Sequence, residues 1–324
     1  MNYIIEPFIY FLKYYKDYNS LSSLVYINKI FYSNISELYL GILEVKNEED
    51  YHKWKCLNCS FNINFQVIHL NYKNIVGLNL CDNDIFEDIS MLTDLITLDL
   101  KGNAVIKNIN KLTNLTNLNL GYNNAIKDIS MLTNLTNLNL FNSRFIKDIS
   151  MLTNLTKLNI SCNDYINNIS MLTNLTKLDL FNNCIIEDIS MLTNLTNLNL
   201  SYNYYINNIN VLTSLTSLDL LGNNTIKDIS MLTNLISLNL WDNKNIKDIS
   251  MLTNLTNLNL RCNNMIEDIS MLTNLTELNL FNNRIIKDIS MLTNLVNLNL
   301  SQNDTIKDTS MLTNLTVCIR DIKP

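Results

Sequence analysis

Residues suited to acid–base or nucleophilic catalysis are almost absent from this sequence. Only two histidines, His52 and His69, occur among 324 residues. Neither lies between residues 75 and 314, so a Ser-His-Asp or Cys-His site is excluded from that region, which holds most of the chain. The five glycines form no phosphate-binding loop. Because no group of residues meets the first geometric requirement of a catalytic site, we expect a protein that is not an enzyme and holds no cofactor.

Long apolar runs and an excess of positive charge are also missing. Hydrophobic residues make up 47% of the chain, yet no uninterrupted apolar run approaches the ~18 residues of a membrane-spanning helix. The formal net charge of −6 at pH 7 is the opposite of what a nucleic-acid-binding surface needs. We therefore expect neither a membrane nor a nucleic acid as a partner.

The cysteines are odd in number and irregularly placed, which argues against a disulfide framework. Met1–Tyr18 is aromatic and lacks the small-residue cleavage site of a signal peptide. We therefore expect free thiols and an intracellular, cytoplasmic location. In that compartment the recurring tripeptide Asn-Leu-Thr, as at Asn134–Thr136, is repeat sequence and not a glycosylation acceptor. The seven cysteines are Cys56, Cys59, Cys81, Cys162, Cys184, Cys262 and Cys318.

The dominant feature is a unit of 20 residues that recurs from residue 75 to residue 314. One copy, Leu115–Asn134, reads LTNLNLGYNNAIKDISMLTN, and twelve copies begin at intervals of 20 residues from Ile75 to Leu295. Numbering this copy from its first leucine places apolar residues at positions 1, 4, 6, 12, 15 and 18. A fixed period of this length is typical of a solenoid, in which each repeat forms one coil.

Within the unit, positions 4 and 6 are apolar and alternate with polar positions 3 and 5, as in a strand. Successive copies should pair as a parallel sheet with strands ~4.8 Å apart. Position 14 is always Asp or Asn and position 16 is always Ser or Asn, which predicts a side-chain cap followed by one tight 3-10 turn. The capping carboxylates should accept backbone N–H bonds, and their pKa should therefore be lowered.

Position 9 is asparagine in eleven of the twelve copies, and Ser143 is the exception. The chain must turn inward there, and buried backbone groups need hydrogen-bond partners. A carboxamide has donors and an acceptor, so we expect these side chains to bridge from one coil to the next as a ladder.

The pattern L-x-x-L-x-L-x-x-N resembles the leucine-rich repeat, and I-x-D-I-S-x-L-T-x-L is similar to its short internalin-type subclass. The resemblance implies an α/β fold: a leucine-rich-repeat solenoid shaped as an open right-handed horseshoe, with a parallel sheet on the concave face and 3-10 or short turns on the convex face. Near-identical copies and an abundance of Asn, Ile, Lys and Tyr are also similar to repeat proteins of amoeba-infecting giant viruses. That source would place the protein in a host cytoplasm. Such repeats serve many partners, so the resemblance leaves the partner open.

Four segments follow from this organisation. Residues 1–50 are a small helical cap or an F-box-like segment, and residues 51–74 are a linker with an imperfect first coil. Residues 75–314 hold the twelve repeats, and residues 315–324 form a C-terminal cap.

The first segment has helical apolar spacing over Pro7–Tyr15 and Leu21–Leu43, with a break at Asp17–Ser20. A helical cap is one interpretation, because a solenoid must cover the apolar edge of its first coil. The run YKDYNSLSSLVYINKIFYSNI, residues 15–35, also resembles the second half of an F-box; the usual opening Leu-Pro-x-Glu is missing. That resemblance implies a ubiquitin-ligase adaptor, in which residues 1–50 dock a Skp1-type protein while the repeats select a substrate.

His52, Cys56, Cys59 and His69 are residues of the types that bind zinc. Only one C-x-x-C pair is present, and the spacing of the histidines is unusual for a zinc site. A metal-dependent enzyme built on these residues is therefore the weakest functional hypothesis. We expect no metal site here and no stoichiometric zinc in the purified protein.

Positions 3, 5, 7 and 8 are expected to face solvent on the concave side of the sheet. Position 7 varies most: it mixes large aromatics with Arg, Ser and Gly, whereas the inward positions are almost invariant. Exposed aromatics and arginine are typical of binding hot spots, although drift among unselected repeats would also produce this variety. The main hypothesis is a non-enzymatic protein–protein interaction module that binds a protein partner on the concave face. The candidate partner-binding residues are Tyr122, Phe141, Phe181, Tyr202, Leu221, Trp241, Arg261 and Phe281.

Overall fold

The computed structural model describes residues 39–45, 58–63, 75–83 and 86–320. The helical spacing before residue 39 and the run 15–35, which resembles part of an F-box, lie outside these residues. So do three of the four candidate zinc ligands, His52, Cys56 and His69.

The chain divides into two compact units, residues 1–136 and residues 137–324. The first unit contains β1 (Tyr39–Val45), β2 (Asn58–Ile63), β3 (Ile75–Asn79), β4 (Thr97–Asp99) and β5 (Asn117–Asn119). The second unit contains β6 (Asn137–Asn139), β7 (Lys157–Asn159), β8 (Lys177–Asp179), β9 (Asn197–Asn199), β10 (Ser217–Asp219), β11 (Ser237–Asn239), β12 (Asn257–Asn259), β13 (Glu277–Asn279), β14 (Asn297–Asn299) and β15 (Val317–Ile319). None of the described residues forms a helix long and apolar enough to cross a membrane.

Within each unit, every strand pairs in parallel with the next strand along the chain. From β3 to β5 and from β6 to β15 the register is one repeat, as at Leu218, which pairs with Leu198 on one side and Leu238 on the other. Each repeat position therefore forms a row from coil to coil within a unit. The parallel sheet predicted from the 20-residue period is confirmed.

The strand β1 overturns the end of the helix predicted over Leu21–Leu43, because residues 39–43 are extended. This stretch, YLGILEV, is rich in the apolar and β-branched residues that suit a pleated surface. Its parallel partner β2 supplies inter-strand hydrogen bonds, with Leu43 opposite Phe61. Pairing with a neighbouring segment therefore prevails over helical spacing within the segment.

The core consists of six apolar side chains per coil, which lie at the predicted positions. In the coil that begins at Leu215, all six are at most 2% exposed: Leu215, Leu218, Leu220, Ile226, Ile229 and Leu232. The return path is two successive turns, in which Leu232 N–H donates to the Ile229 carbonyl at 3.0 Å and Leu235 N–H donates to the Leu232 carbonyl at 3.1 Å. These three-residue steps confirm the short turns expected opposite the sheet.

The position-9 asparagines form the predicted ladder. Asn203 Nδ2 donates to the Asn183 carbonyl at 2.9 Å, and its Oδ1 accepts the backbone N–H groups of Tyr205 and Ile206, both at 3.1 Å. The side chain is buried, so no water competes for these groups. One asparagine thus both closes the turn of its own coil and holds the preceding coil.

The position-14 side chains cap the return path in every repeat. Asp188 Oδ1 accepts the Ser190 N–H at 2.8 Å, and the equivalent bond is present in the other eleven coils. The backbone N–H and the hydroxyl of Ser190 lower the pKa of Asp188. The pKa of each of the other eight capping aspartates is lowered by its own serine in the same way.

Replacing Asp188 with alanine should cost about 1 kcal/mol of folding free energy, since a capping acceptor is lost. Asp188→Asn should cost much less, because Asn168 already caps Ser170 with its Oδ1 at 2.9 Å. The lowered pKa means that the ionised cap stabilises the fold above the ordinary value of 3.8 and that this contribution disappears as the pH falls through the folded-state value. Urea unfolding at pH 7 and at pH 3 measures both effects. Equal losses for the alanine and asparagine variants at pH 7 would show that the position supplies charge and not a cap.

Candidate partner-binding surface

The position-7 side chains are placed by the residue two positions before them. In all twelve coils, the Asn or Asp at position 5 accepts the backbone N–H of position 7, as Asn239 Oδ1 does from Trp241 at 3.1 Å. This Asx turn ends the strand at position 5. The position-7 row therefore runs along the carboxyl-terminal edge of the parallel strands. Each strand of the repeats ends two residues before this row, so position 7 belongs to the turn that follows the strand.

Position 8 completes the turn with a left-handed backbone in every coil. Glycine takes this conformation readily, but Tyr122 (φ 57°) and Tyr202 (φ 53°) take it too. The ring of Tyr202 fills the space beside Gly222, where an added Cβ would lie 2.5 Å from the ring carbon Cε1. Tyr202 also packs edge to face against Phe181, with ring centroids 5.8 Å apart.

The predicted residues at position 8 are more exposed than those at position 7. Tyr122 and Tyr202 are 47% and 39% exposed, as expected for a solvent-facing position. The other predicted residues are only half-exposed, because coils spaced by a single strand leave little room between large neighbours in a row. These half-buried residues are Phe141, Phe181, Leu221, Trp241, Arg261 and Phe281.

Three of the predicted residues form a stacked group in the second unit. The guanidinium of Arg261 lies between two aromatic rings, 4.2 Å from the centroid of Trp241 and 4.2 Å from the centroid of Phe281. Leu221 precedes Trp241 in the same row. In the first unit, Tyr122 has a looser cation–π contact, with Lys101 Nζ 5.9 Å from its ring centroid.

Serines at position 7 bond to two of the three aspartates at position 5. The hydroxyl of Ser161 donates to Asp179 at 2.8 Å, and that of Ser201 donates to Asp219 at 2.7 Å, each one coil further on. A carboxylate accepts such a bond more strongly than a carboxamide does. These serines are buried, so they belong to the scaffold and not to a binding surface.

Comparison with solved structures identifies the fold family. No protein-family model matches the sequence, and no curated protein matches it either. An internalin of Listeria monocytogenes, InlF, is 32% identical with a TM-score of 0.62, and the match covers 78% of this chain and 83% of that chain. The chain belongs to the internalin-type leucine-rich repeat proteins.

Two further structures of leucine-rich repeat proteins are similar. The functional domain of InlJ from Listeria monocytogenes has 25% identity and a TM-score of 0.65, and the match covers 89% of this chain and 68% of that chain. A leucine-rich repeat protein of Leptospira interrogans has 26% identity and a TM-score of 0.64, with 84% and 81% covered. The resemblance seen in the repeat sequence is thereby confirmed as a family relationship.

This leucine-rich repeat protein carries an aromatic ridge that the sequence reasoning missed. Position 11 in four consecutive coils of the second unit holds Phe145, Tyr165, Ile185 and Tyr205, of which the three aromatics are 44%, 43% and 46% exposed. The neighbouring Tyr204 is 51% exposed. The signal was available, since position 11 varies between repeats as much as position 7 does.

A second exposed row lies on the turn side of the repeats, at position 17. In the second unit it consists of eight methionines, each 58% to 62% exposed, and one valine. Methionine side chains are flexible and adapt to many partners, so this row is the alternative surface for binding. The eight are Met151, Met171, Met191, Met231, Met251, Met271, Met291 and Met311.

The sheet face of the second unit offers an open groove. An open groove of about 410 Å³ runs over β11 to β15 and is lined by the residues at positions 3 to 5, such as Asn239 and Asn259. Among residues 75–83 and 86–320, no three His, Cys, Asp or Glu side chains come together as a metal site would need. The groove and the adjacent position-7 row, called the edge row from here on, can bind a partner by apolar contact and hydrogen bonding.

Proposed function

We propose that this leucine-rich repeat protein is a non-enzymatic protein-interaction module. The observation that carries the proposal is the row of large side chains at the strand ends, from Leu221 through Trp241 and Arg261 to Phe281. These side chains stay partly accessible beside a sheet-face groove. Tryptophan and arginine are the residues most enriched at binding hot spots. A protein partner would lie over the groove and against this edge.

The proposed contact residues fall into the two units. In the second unit they are Phe141, Phe181, Tyr202, Leu221, Trp241, Arg261 and Phe281. In the first unit the proposed residue is Tyr122. The aromatic ridge at position 11 extends the apolar area available in the second unit.

Affinity capture from lysate of the source cells tests the site. The full chain and a variant carrying Phe181→Ala, Trp241→Ala and Phe281→Ala are compared, with Met231→Ala, Met251→Ala and Met271→Ala as a control of equal number. We expect the aromatic variant to lose its captured partner, with affinity reduced by about 2 kcal/mol or more. The methionine control should retain it. Loss only in the methionine control would move the site to the turn side. Thermal unfolding of each variant separates lost contact from lost folding.

A ubiquitin-ligase adaptor is the second candidate, because residues 15–35 resemble an F-box. In that case residues 1–50 would bind a Skp1-type protein and the repeats would select a substrate. Copurification of Skp1 with the full chain, abolished by Leu21→Asp together with Leu24→Asp, would support the adaptor. If purified Skp1 at micromolar concentration fails to bind the full chain, the adaptor is excluded.

We also propose that the protein works in a reducing, intracellular compartment. The five cysteines of residues 75–320 are free and occupy four different repeat positions. The asparagines of Asn-Leu-Thr are already used: Asn194 Nδ2 donates to the Thr173 carbonyl at 2.9 Å. A glycan would leave that nitrogen a single N–H and would add bulk at this contact between coils. An intact mass of the protein from its source cells should show neither glycans nor disulfides, and either modification would contradict the proposal.

A further inference from the structure

The stacked group of Trp241, Arg261 and Phe281 holds its guanidinium in one orientation. The three residues occupy position 7 of consecutive coils, and the strict one-repeat register of β11, β12 and β13 brings them face to face. Both flat faces of the guanidinium are covered at 4.2 Å. Only its edge, which carries the N–H groups, remains for a ligand.

The hydrogen-bonding capacity of this arginine side chain is unused. A guanidinium has five N–H donors and no acceptor. Arg261 Nε is buried without a hydrogen-bond partner, whereas the two terminal nitrogens remain accessible to solvent. Within the part of the chain that the structure describes, Arg261 forms hydrogen bonds only through its backbone: its N–H donates to Asn259 Oδ1 at 3.1 Å, and its carbonyl accepts the N–H of Asp242 at 3.0 Å. The charged end is therefore positioned and unpaired.

Acidic side chains of the flanking coils are engaged elsewhere. Asp242 pairs with Lys244, with Oδ1 and Nζ 3.5 Å apart. Glu277 Oε2 accepts a hydrogen bond from Asn257 Nδ2 at 2.5 Å. Among the described residues, no carboxylate lies within ion-pair distance of Arg261. An internal salt bridge thus does not compete with a ligand for this group.

The carboxamide of Asn259, two residues before Arg261, adds a neutral N–H donor. Since an N–H can bond only to the oxygen of a carboxamide, Asn259 turns its Oδ1 to the Arg261 backbone and directs its Nδ2 away from it. Asn279 does the same for Phe281 at 3.0 Å. Neither Nδ2 has an acceptor among the described residues. The edge beside Arg261 therefore presents hydrogen-bond donors, which suit an oxygen-rich anion.

We propose that the edge of the Arg261 guanidinium binds the side-chain carboxylate of an Asp or Glu on the protein partner. The inference rests on the proposed function and names the chemistry of the contact. A carboxylate matches the planar fork of a guanidinium with two parallel hydrogen bonds. An apolar neighbour of that acidic residue would lie against Trp241 or Phe281.

The charge of the surroundings favours a carboxylate over a phosphate. A phosphate group carries a charge near −2 at pH 7, and its recognition usually needs several cations. Arg261 is the one cation in the position-7 row of the second unit, and the acidic Asp242 and Glu277 belong to the neighbouring coils. A single negative charge is therefore the better match.

Selection from a displayed library of random dodecapeptides on the full chain tests the proposal. The selected peptides should be enriched in Asp or Glu beside an apolar residue. Changing that acid to its amide should weaken binding to the wild type by at least about tenfold, as expected for a lost charged hydrogen bond. On Arg261→Gln the same change in the peptide should have almost no effect. The fluorescence of Trp241, made the single tryptophan by Trp54→Phe, reports binding.

Arg284→Gln is the matched control, because Arg284 is exposed and lies at position 10 outside the row. It should bind the peptides like the wild type, and thermal unfolding should show all variants folded.

Peptides that bind Arg261→Gln as they bind the wild type would overturn this inference and leave the interaction module intact. Failure to select any peptide would overturn both. A peptide that loses binding only when its C-terminus is amidated would overturn the side-chain carboxylate as the ligand, and so would tighter binding with phosphoserine at the acidic position.

Discussion

Asn183→Ala is expected to destabilise the second unit by about 4 kcal/mol, because it leaves several buried groups without partners. Asn183 Nδ2 donates to the carbonyls of Ile160 at 3.2 Å and Asn163 at 2.5 Å. Its Oδ1 accepts the backbone N–H groups of Ile185 at 3.2 Å and Ile186 at 3.1 Å. No water reaches this site, since Asn183 is fully buried.

Two matched variants separate burial from hydrogen bonding. Asn194 makes a similar coil-to-coil bond at the exposed end of the repeat, and Asn194→Ala should cost only about 1 kcal/mol, since water can replace the lost bond. Asn183→Ser should lie between the two, because Ser143 occupies position 9 naturally and its carbonyl still accepts from Asn163 Nδ2 at 2.7 Å.

Urea unfolding of the three variants beside the wild type gives the free energies. A cost below about 1.5 kcal/mol for Asn183→Ala would contradict the ladder as a main source of stability. Equal costs at positions 183 and 194 would show that burial does not set the value of these bonds.

The repeat made most of the fold predictable. Positions 4 and 6 alternate as in a strand and positions 12, 15 and 18 follow a short-turn spacing, so both the sheet and its core could be assigned before the structure. The ladder at position 9 and the cap at position 14 were also predictable, because one polar residue type recurs where backbone groups must turn inward. Asn203 and Asp188 make the bonds expected of them.

The placement of the edge row could not be predicted from alternation alone. The chain leaves strand geometry at position 5, where Asn239 accepts the N–H of Trp241, and a left-handed residue follows at position 8. Tyr202 gives no sequence signal for that conformation, since tyrosine seldom has a positive φ. The 20-residue period places Trp241 beside Arg261, but the stacking of the guanidinium on the ring depends on side-chain conformations that the sequence does not give.

The variants Leu240→Ala and Trp241→Ala compare an inward and an edge side chain that are adjacent in sequence. Leu240 is 0% exposed, so its truncation should leave a cavity and cost about 2–5 kcal/mol. Trp241 is half-exposed but stacks on Arg261, so we expect about 1–2 kcal/mol from lost apolar contact and the lost cation–π interaction. That cost exceeds the ~0.5 kcal/mol of an ordinary surface change.

The site of damage should also differ, because each coil of a solenoid contacts only its neighbours. Leu240 lies in the middle of the second unit, and its backbone N–H and carbonyl bond to Asn259 and to the side chain of Asn263. A cavity there should uncouple the coils on either side and lower the denaturant slope of unfolding, whereas Trp241→Ala should shift the midpoint alone.

Binding should respond in the opposite order: Trp241→Ala should weaken binding of the partner, while Leu240→Ala, measured under conditions where it is still folded, should not. If the two variants lose stability equally and neither affects binding, the edge row is part of the core and the partner must bind elsewhere.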